Sequence, residues 1–220
     1  TSNTTYTVIG TTNGCTSSAQ VTVTVNGIVL TVSPNVLICN GQSTTLAAAG
    51  ATTYSWTPSI GLSTTTGSPV TANPNATTTY TVTGTSNGCT ATGQVTVTVN
   101  PLPTVSVITP PAICVGQQSA ILVANGAATY TWTPSTDLSS PTGSPVTATP
   151  VSTTTYTVTG TDNNGCSASA QVTVTVNPVP VIAVTPASIC IGQSTILIAG
   201  GANTYVWSPA TALSATTGST

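Results

Sequence analysis

Residues 153–177 read TTTYTVTGTDNNGCSASAQVTVTVN, and this stretch decides the fold of the chain. The same pattern occurs at residues 77–100, TTTYTVTGTSNGCTATGQVTVTVN, and at residues 3–26, NTTYTVIGTTNGCTSSAQVTVTVN. In each copy, two runs in which Thr alternates with apolar residues flank an Asn-Gly pair. Alternation with a period of two is typical of a half-buried strand, and Asn-Gly is the strongest short-range signal of a hairpin turn. Each copy therefore predicts a β-hairpin.

The sequence between the hairpins is repeated as well, because an Ile-Cys-x-Gly-Gln motif and one tryptophan recur at a spacing of about 75 residues. The equivalent positions are Cys15, Cys89 and Cys166; Cys39, Cys114 and Cys190; and Trp56, Trp132 and Trp207. A fixed period of this kind predicts a tandem array of one small repeat. We expect residues 27–100 and 101–177 to be complete repeats. Residues 1–26 are then the C-terminal hairpin of a truncated repeat, and residues 178–220 the N-terminal part of another.

Within the repeat 101–177, strands are predicted near 104–109, 119–125, 129–133 and 145–149, ahead of the hairpin, with a turn over 110–117. Six or seven short antiparallel strands with turn signals between them, and no helical periodicity, predict an all-β, immunoglobulin-like β-sandwich. One large aromatic residue per repeat is more typical of a core than of a ligand platform. The predicted core anchors are Trp56, Trp132, Trp207, Tyr80 and Tyr156.

Charged residues are almost absent: the chain has no Lys, Arg or His, and its acidic residues are Asp137 and Asp162. Nothing in it could neutralise phosphates or dock on an anionic membrane surface, so we expect no nucleic-acid partner. No apolar run approaches the eighteen or so residues of a membrane span, so we expect no membrane insertion.

Threonine fills 53 positions and supplies a polar face without charge. A neutral β surface is prone to self-association, because charge is what normally blunts strand edges and keeps proteins apart. Either the surface is masked, for instance by O-linked sugar, or self-association is part of the function. The expected partners are neighbouring copies of the same repeat.

Catalysis is not expected, because no His or Lys could activate a Ser, Thr or Cys nucleophile. Two isolated aspartates do not make a repeated acid–base pair. The cysteines lack C-x-x-C spacing and histidine partners, which argues against zinc. We expect no catalytic residue, no metal site and no cofactor; a single weak calcium site at Asp137 or Asp162 is the alternative.

Disulfides in an oxidising, extracellular setting are the better interpretation of the six cysteines. Strand lengths then bear on which of them pair. Cys114 lies 11 residues after Pro103, and Cys166 lies 11 residues before Asn177, so each is up to ~36 Å from its linker. The chain enters a sandwich at one end and leaves at the other, which places Cys114 and Cys166 at opposite ends. A disulfide needs Cα atoms within about 7 Å.

Neighbouring repeats remove this difficulty, because the C-terminal end of one repeat meets the N-terminal end of the next. The favoured pair is an interdomain bridge between Cys39 and Cys166. Cys15, Cys89, Cys114 and Cys190 would then pair with repeats outside the segment. The alternative is one bridge inside each repeat, Cys39 with Cys89 and Cys114 with Cys166, in the Cys…Trp…Cys order of antibody domains.

The motifs ICxGQS, TYxW, TTTYTVTGTxxNGC and QVTVTVNPxP together resemble the Ig-like or PKD-like repeats of very large surface proteins of gliding Bacteroidota. The resemblance implies export by the type IX pathway and a role in long adhesin stalks or filaments at the cell surface. It does not extend to the acidic WDFGDG signature, because Trp132 is followed by Thr-Pro. The alternative function is an adhesin module whose loops bind a glycan or a protein.

The order of the parts is that of a permuted three-repeat window, because residues 219–220 stop where other copies continue with SPVTANP or SPVTATP. We expect an arbitrary cut through a longer array. The alternative is a subunit whose last strands complete the first hairpin of its neighbour. The cut is favoured because a few residues would be missing from each such junction.

Overall fold

Strands account for the regular secondary structure of the computed structural model, which describes residues 2–220. Thr1, the first residue of the predicted segment 1–26, lies outside the described residues. The chain divides into two compact units. The first contains residues up to Pro103 together with Thr161–Ser167, and the second contains Thr104–Gly160 and Ala168–Thr220. The division into four repeat segments stays a prediction.

The first predicted hairpin is present as two antiparallel strands, β1 (Thr4–Thr12) and β2 (Cys15–Val23). Its turn residues Asn13 and Gly14 both have positive φ, 50° and 80°. Two consecutive left-handed residues are what a two-residue turn needs to match the twist of its strands, and Asn and Gly adopt that conformation most readily. The Asn-Gly prediction is confirmed here.

The next eight strands form a β-sandwich. They are β3 (Thr31–Val32), β4 (Val36–Cys39), β5 (Thr44–Leu46), β6 (Ala48–Ala49), β7 (Thr53–Thr57), β8 (Val70–Ala72), β9 (Thr78–Ser86) and β10 (Cys89–Asn100). One sheet has the order β4-β10-β9-β7, so the hairpin β9–β10 forms its centre. On the other face of the core, β3 pairs with β6 and β5 pairs with β8.

A second sandwich follows with the same plan. Its strands are β11 (Ser106–Ile108), β12 (Ile113–Cys114), β13 (Ala120–Asn125), β14 (Thr129–Thr133), β15 (Val146–Ala148), β16 (Thr154–Thr161), β17 (Ser167–Val174) and β18 (Val176–Asn177). The sheets run β14-β16-β17, β12-β18 and β11-β13-β15. The all-β, immunoglobulin-like sandwich predicted from the alternating Thr pattern is confirmed.

The sheets are not purely antiparallel, and in this respect the sequence prediction is wrong. β4 runs parallel to β10, with Cys39 opposite Asn100, and β12 runs parallel to β18, with Cys114 opposite Asn177. The chain leaves the sheet of β11 and runs beside the last strand of the other sheet in the same direction. The predicted turn over 110–117 therefore contains a strand. Its two residues are too few to show alternation.

Each sandwich has one apolar core with a tryptophan at its centre. Trp56 and Trp132 are each 1% exposed, and Tyr80 and Tyr156 are fully buried. The indole Nε1–H groups donate to backbone carbonyls, from Trp56 to Gly67 at 2.9 Å and from Trp132 to Gly143 at 2.8 Å. Because their polar atoms are satisfied, these side chains are buried without the cost of an unpaired donor.

Trp207 requires a correction, because it is only half-buried and belongs to neither core. The strands around it are β19 (Ala183–Val184) and β20 (Ala199–Gly200), which pair with each other. Residues 178–220 contain no copy of the hairpin whose Tyr and Val side chains cover the other two tryptophans. Trp207 still donates from Nε1 to the Gly218 carbonyl at 3.0 Å.

Gly84 lies where two elements approach closely. A Cβ at this position would lie 2.7 Å from Leu30 Cδ1 and 2.8 Å from Ala51 Cβ. Gly10, the equivalent glycine of the first hairpin, has nothing within 4 Å of the same point. We expect Gly84→Ala to lower the free energy of unfolding by about 1–3 kcal/mol through overpacking. Gly10→Ala is the matched control, and chemical denaturation of dilute, reduced protein should show it unchanged. Equal effects of the two substitutions would contradict the packing.

The buried tyrosines predict sensitivity to alkali. Burial raises the pKa of Tyr80 above its usual value of 10.0, and burial together with the nearby Asp137 carboxylate raises the pKa of Tyr156. The stability linked to the neutral phenols is therefore fully present below about pH 10 and falls as pH rises through the raised pKa values. Unfolding followed from pH 8 to 12 should show this loss. The double variant Tyr80→Phe, Tyr156→Phe should flatten it, whereas Tyr6→Phe, at an exposed tyrosine, should not.

Candidate functional site

A disulfide joins Cys39 to Cys166, with an S–S distance of 2.03 Å and a Cα–Cα distance of 5.5 Å. Cys39 ends β4, and Cys166 lies in the turn between β16 and β17, where it is fully buried. The turn residues 161–167 belong to the same compact unit as Cys39. This is the pair that strand length favours.

The turn that carries Cys166 differs from the two-residue turns of the other hairpins. The Asp162 carboxylate Oδ1 accepts hydrogen bonds from the backbone N–H groups of Asn164 and Cys166, both at 2.8 Å. The carbonyl of Asp162 also accepts from the N–H of Gly165. One extra residue in this copy makes a longer loop, and Asp162 closes it as an Asx turn. Asp162 thus holds the backbone that presents the Cys166 sulfur, and it has a turn-forming role.

The alternative bridges inside each repeat, Cys39 with Cys89 and Cys114 with Cys166, are absent from the structure because Cys39 and Cys166 are bonded to each other. The register gives the reason. Cys39 is opposite Asn100 at the end of β10, whereas Cys89 is the first residue of that long strand. Cys39 and Cys89 therefore lie beside opposite ends of β10.

The remaining thiols are accessible to different degrees: Cys15 and Cys190 are exposed, and Cys89 and Cys114 are half-buried. The Cys89 Sγ–H donates to the backbone carbonyl of Asn26 at 3.6 Å. Asn26 ends the same QVTVTVN motif that places Asn100 opposite Cys39. Cys89 therefore lies beside Asn26, and Asn26 corresponds to Asn100, the residue opposite Cys39. The pairing of these four cysteines with other repeats stays a prediction.

A second candidate site is the apolar face of the β1–β2 hairpin, which the sequence could not reveal as exposed. Tyr6, Val8, Val21 and Val23 are 57%, 65%, 61% and 51% exposed. The equivalent residues of the other hairpins are fully or almost fully buried; they are Tyr80, Val82, Val95 and Val97 in one and Tyr156, Val158, Val172 and Val174 in the other. A contiguous apolar face of this kind marks an interaction surface.

The third candidate site is a groove of about 670 Å³ within residues 187–220. Ile189, Leu197, Trp207 and Leu213 line it. Ile189 is exposed, and the other three are half-buried. The residues that correspond to Leu197 in the two sandwiches, Leu46 and Leu122, are fully buried. The groove thus has the wall of a sandwich core without the hairpin that fills it.

Residues 2–220 contain no group of three or more His, Cys, Asp or Glu side chains that could hold a metal ion. Within the same residues, no helix is long and apolar enough to cross a membrane.

The geometry defines a chain of immunoglobulin-like β-sandwich domains. No family model matches the sequence, and no curated protein matches it. Among solved structures, the chain is similar to the titin domains Z1Z2 in complex with telethonin, at 14% identity over 68% of this chain and 96% of that chain, with a TM-score of 0.28. It is also similar to the insect immune protein hemolin, at 15% identity over 79% of this chain and 56% of that chain, with a TM-score of 0.37. A third similar structure is a C-terminal intimin fragment in complex with the intimin-binding domain of the translocated intimin receptor. The identity is 16% over 72% of this chain and 67% of that chain, with a TM-score of 0.42.

Loss of the disulfide should lower stability. Cys39 and Cys166 are 127 residues apart, and a crosslink over a long loop restricts the unfolded chain, typically by about 2–4 kcal/mol. We expect the double variant Cys39→Ser, Cys166→Ser to lose free energy of unfolding of this order in denaturant titrations. The control Cys15→Ser removes an exposed free thiol and should leave the transition unchanged. Equal midpoints for the oxidised wild type and the double variant would contradict the expectation.

Proposed function

We propose that this chain is a structural repeat segment of an extracellular filament or adhesin stalk, stiffened by disulfides between successive repeats. The observation that carries the proposal is the Cys39–Cys166 bond. In the predicted repeat scheme, Cys39 belongs to residues 27–100 and Cys166 to residues 101–177. A bond of this kind restrains the angle between consecutive repeats, which a flexible linker leaves free.

Composition supports the same proposal. With no basic residue and two acidic ones, the chain offers little charge for steering ligands or for electrostatic recognition. Disulfides persist in oxidising compartments, which supports an extracellular location. The motif resemblance to cell-surface repeats supports export and a place in a stalk. A non-enzymatic role is part of this proposal, because the sequence contains no His or Lys to act as a base.

The bridge also limits extension under load. If both sandwiches unfold while the bond is intact, the chain between Cys39 and Cys166 cannot lengthen. Fully extended, the 127-residue separation corresponds to about 420–460 Å. A stalk built in this way lengthens little when its domains unfold.

Single-molecule stretching of the chain from its two ends tests this role. We expect the oxidised protein to reach a contour length about 420–460 Å shorter than the reduced protein, because the residues inside the loop stay locked. The variant Cys39→Ser, Cys166→Ser should extend fully under both conditions. If the oxidised wild type extends as far as this variant, the stiffening role is wrong.

A ligand-binding adhesin module is the second candidate, and the half-exposed Trp207 in the groove is the observation that favours it. The structural role is preferred because Trp56 and Trp132, the residues equivalent to Trp207 in the two sandwiches, are core residues. Binding of a glycan array by the wild type, lost in Trp207→Ala but retained in Trp132→Phe, would support the second candidate.

A further inference from the structure

We propose that Asp162 is a positioning residue for the Cys39–Cys166 bond, and that its carboxylate makes this disulfide harder to reduce. This role goes beyond forming a turn. A side chain that only shapes the turn stabilises the oxidised and the reduced protein equally and leaves the reduction potential of the bond unchanged. The proposal deepens the stiffening role and rests on it for its biological meaning, whereas the contacts that carry it do not depend on that role.

The first step is the contact between Asp162 and the backbone of Cys166. The N–H of Cys166 donates to the Asp162 carboxylate Oδ1 at 2.8 Å, and the N–H of Asp162 donates to the Cys166 carbonyl at 2.9 Å. The same Oδ1 accepts from the Asn164 N–H at 2.8 Å. Hydrogen bonds to a charged acceptor are roughly twice as strong as neutral ones. One residue therefore holds both backbone polar groups of the cysteine.

The second step is the difference from the hairpin β9–β10. There Ser86 stands at the position of Asp162, and its Oγ hydrogen bonds to the backbone N–H and the hydroxyl of Thr52, both at 2.8 Å. Cys89 follows a two-residue turn, pairs with Ser86 at the start of β10 and is half-buried. Cys166 lies between the strands β16 and β17, in the longer loop, and is fully buried. Asp162 thus organises a loop that holds a buried cysteine, which Ser86 does not do.

The third step is the partner of Cys166. Cys39 belongs to the same compact unit as residues 161–167 and is the last residue of β4, where it lies opposite Asn100 of β10. Directly after it, the Asn40 N–H donates to the Asn100 carbonyl at 2.8 Å. Strand pairing therefore fixes Cys39, whereas the position of Cys166 depends on its loop. The conformation of that loop decides how often the two thiols meet in the reduced protein.

The fourth step is thermodynamic reciprocity. In the oxidised protein the disulfide restrains the loop at Cys166, so the hydrogen bonds to Asp162 form at a smaller cost in conformational entropy than in the reduced protein. A coupling between two interactions has the same magnitude in both directions. The hydrogen bonds of Asp162 therefore stabilise the disulfide by the factor by which the disulfide stabilises them. Removal of the carboxylate shifts the equilibrium towards the two thiols.

Equilibration with glutathione measures this effect. Two glutathione thiols transfer two electrons and two protons to the bond, which leaves thiols at Cys39 and Cys166 and one molecule of glutathione disulfide. Each mixture is quenched with a thiol-alkylating reagent, and mass spectrometry counts the alkylated and the unmodified chains. So that one pair titrates, the test uses the full chain with four substitutions: Cys15→Ser, Cys89→Ser, Cys114→Ser and Cys190→Ser.

In this chain, Asp162→Ala removes the hydrogen bonds to the loop. We expect it to lower the equilibrium constant for forming the bond roughly three- to thirtyfold, the factor equivalent to the usual cost of losing a side chain that caps backbone N–H groups. For a two-electron couple this is a reduction potential higher by about 15–45 mV. Asp162→Asn keeps an oxygen acceptor without the charge, so its potential should lie between those of the Ala variant and the wild type.

Ser167→Ala is the matched control, because Ser167 flanks the same turn and its side chain hydrogen bonds to the Thr161 hydroxyl at 2.9 Å. It should lower the stability of the oxidised and the reduced protein alike and leave the potential unchanged. Asp137→Asn removes the other carboxylate of the chain and controls for charge alone. A potential that is the same in Asp162→Ala and the wild type, or that moves as far in either control, overturns the proposal.

Amide hydrogen exchange gives a second test, which needs no substitution at Asp162. The N–H groups of Asn164 and Cys166 donate to the carboxylate, so their exchange reports opening of the loop. Because the coupling is reciprocal, we expect both amides to exchange faster in the reduced protein by the factor that Asp162→Ala costs in the glutathione equilibrium. Equal exchange rates in the oxidised and the reduced protein would show that the disulfide and the loop are uncoupled, and the proposal would be wrong.

These outcomes are independent of the stretching experiment. If Asp162→Ala shifts the potential but the oxidised wild type extends fully, Asp162 keeps its positioning role and the stiffening role is lost. If the oxidised wild type resists extension but the potential does not move, the stiffening role is kept and the bond does not depend on Asp162.

Discussion

The structure depends on one interaction: the apolar face of a threonine-rich hairpin packs over a tryptophan that the opposite part of the same repeat provides. Where the hairpin is present, Trp56 and Trp132 are buried and their Nε1–H groups are satisfied. Where it is absent, Trp207 remains half-buried and the strands that would flank a hairpin are not formed. Full burial of one Val is worth about 1.5–3 kcal/mol, so three Val and one Tyr supply much of the driving force of a small domain.

Threonine makes this packing compatible with a chain that has almost no charge. Its β-branched side chain suits a pleated strand, and its hydroxyl keeps the outer face polar. Pairs such as Thr79 with Thr96 and Thr155 with Thr173 hydrogen bond across the hairpins at 2.9 and 2.8 Å. These cross-strand pairs take the place that ion pairs hold on ordinary sheets. The resulting surface repels copies of itself only weakly, because it has almost no charge.

Alternation and turn chemistry predicted the hairpins and most strands of the second sandwich, because those signals are local. Local signals could not predict the short parallel strands. Ile113 and Cys114 form a strand because they pair with Val176 and Asn177, more than sixty residues away in the sequence. The core position of Trp207 failed for a related reason, since burial depends on what covers a residue and not on its own type. For the Cys39–Cys166 pair, strand length predicted that the two cysteines of one repeat lie at opposite ends of it, which favoured a bond between repeats. The hydrogen bond from the Cys166 N–H to the Asp162 carboxylate, in the turn with one extra residue, is known only from the structure.

The sequence by itself determined the repeating pattern, the all-β class, the apolar face of each hairpin and the near absence of charge. These follow from side-chain period, turn residues and composition, which are properties of neighbouring residues. Only the tertiary structure decided which hairpin is buried and which is exposed, which cysteines meet, and where a groove lies open. Burial and sulfur–sulfur distance depend on residues brought together from distant parts of the chain, and a local sequence pattern does not predict such contacts.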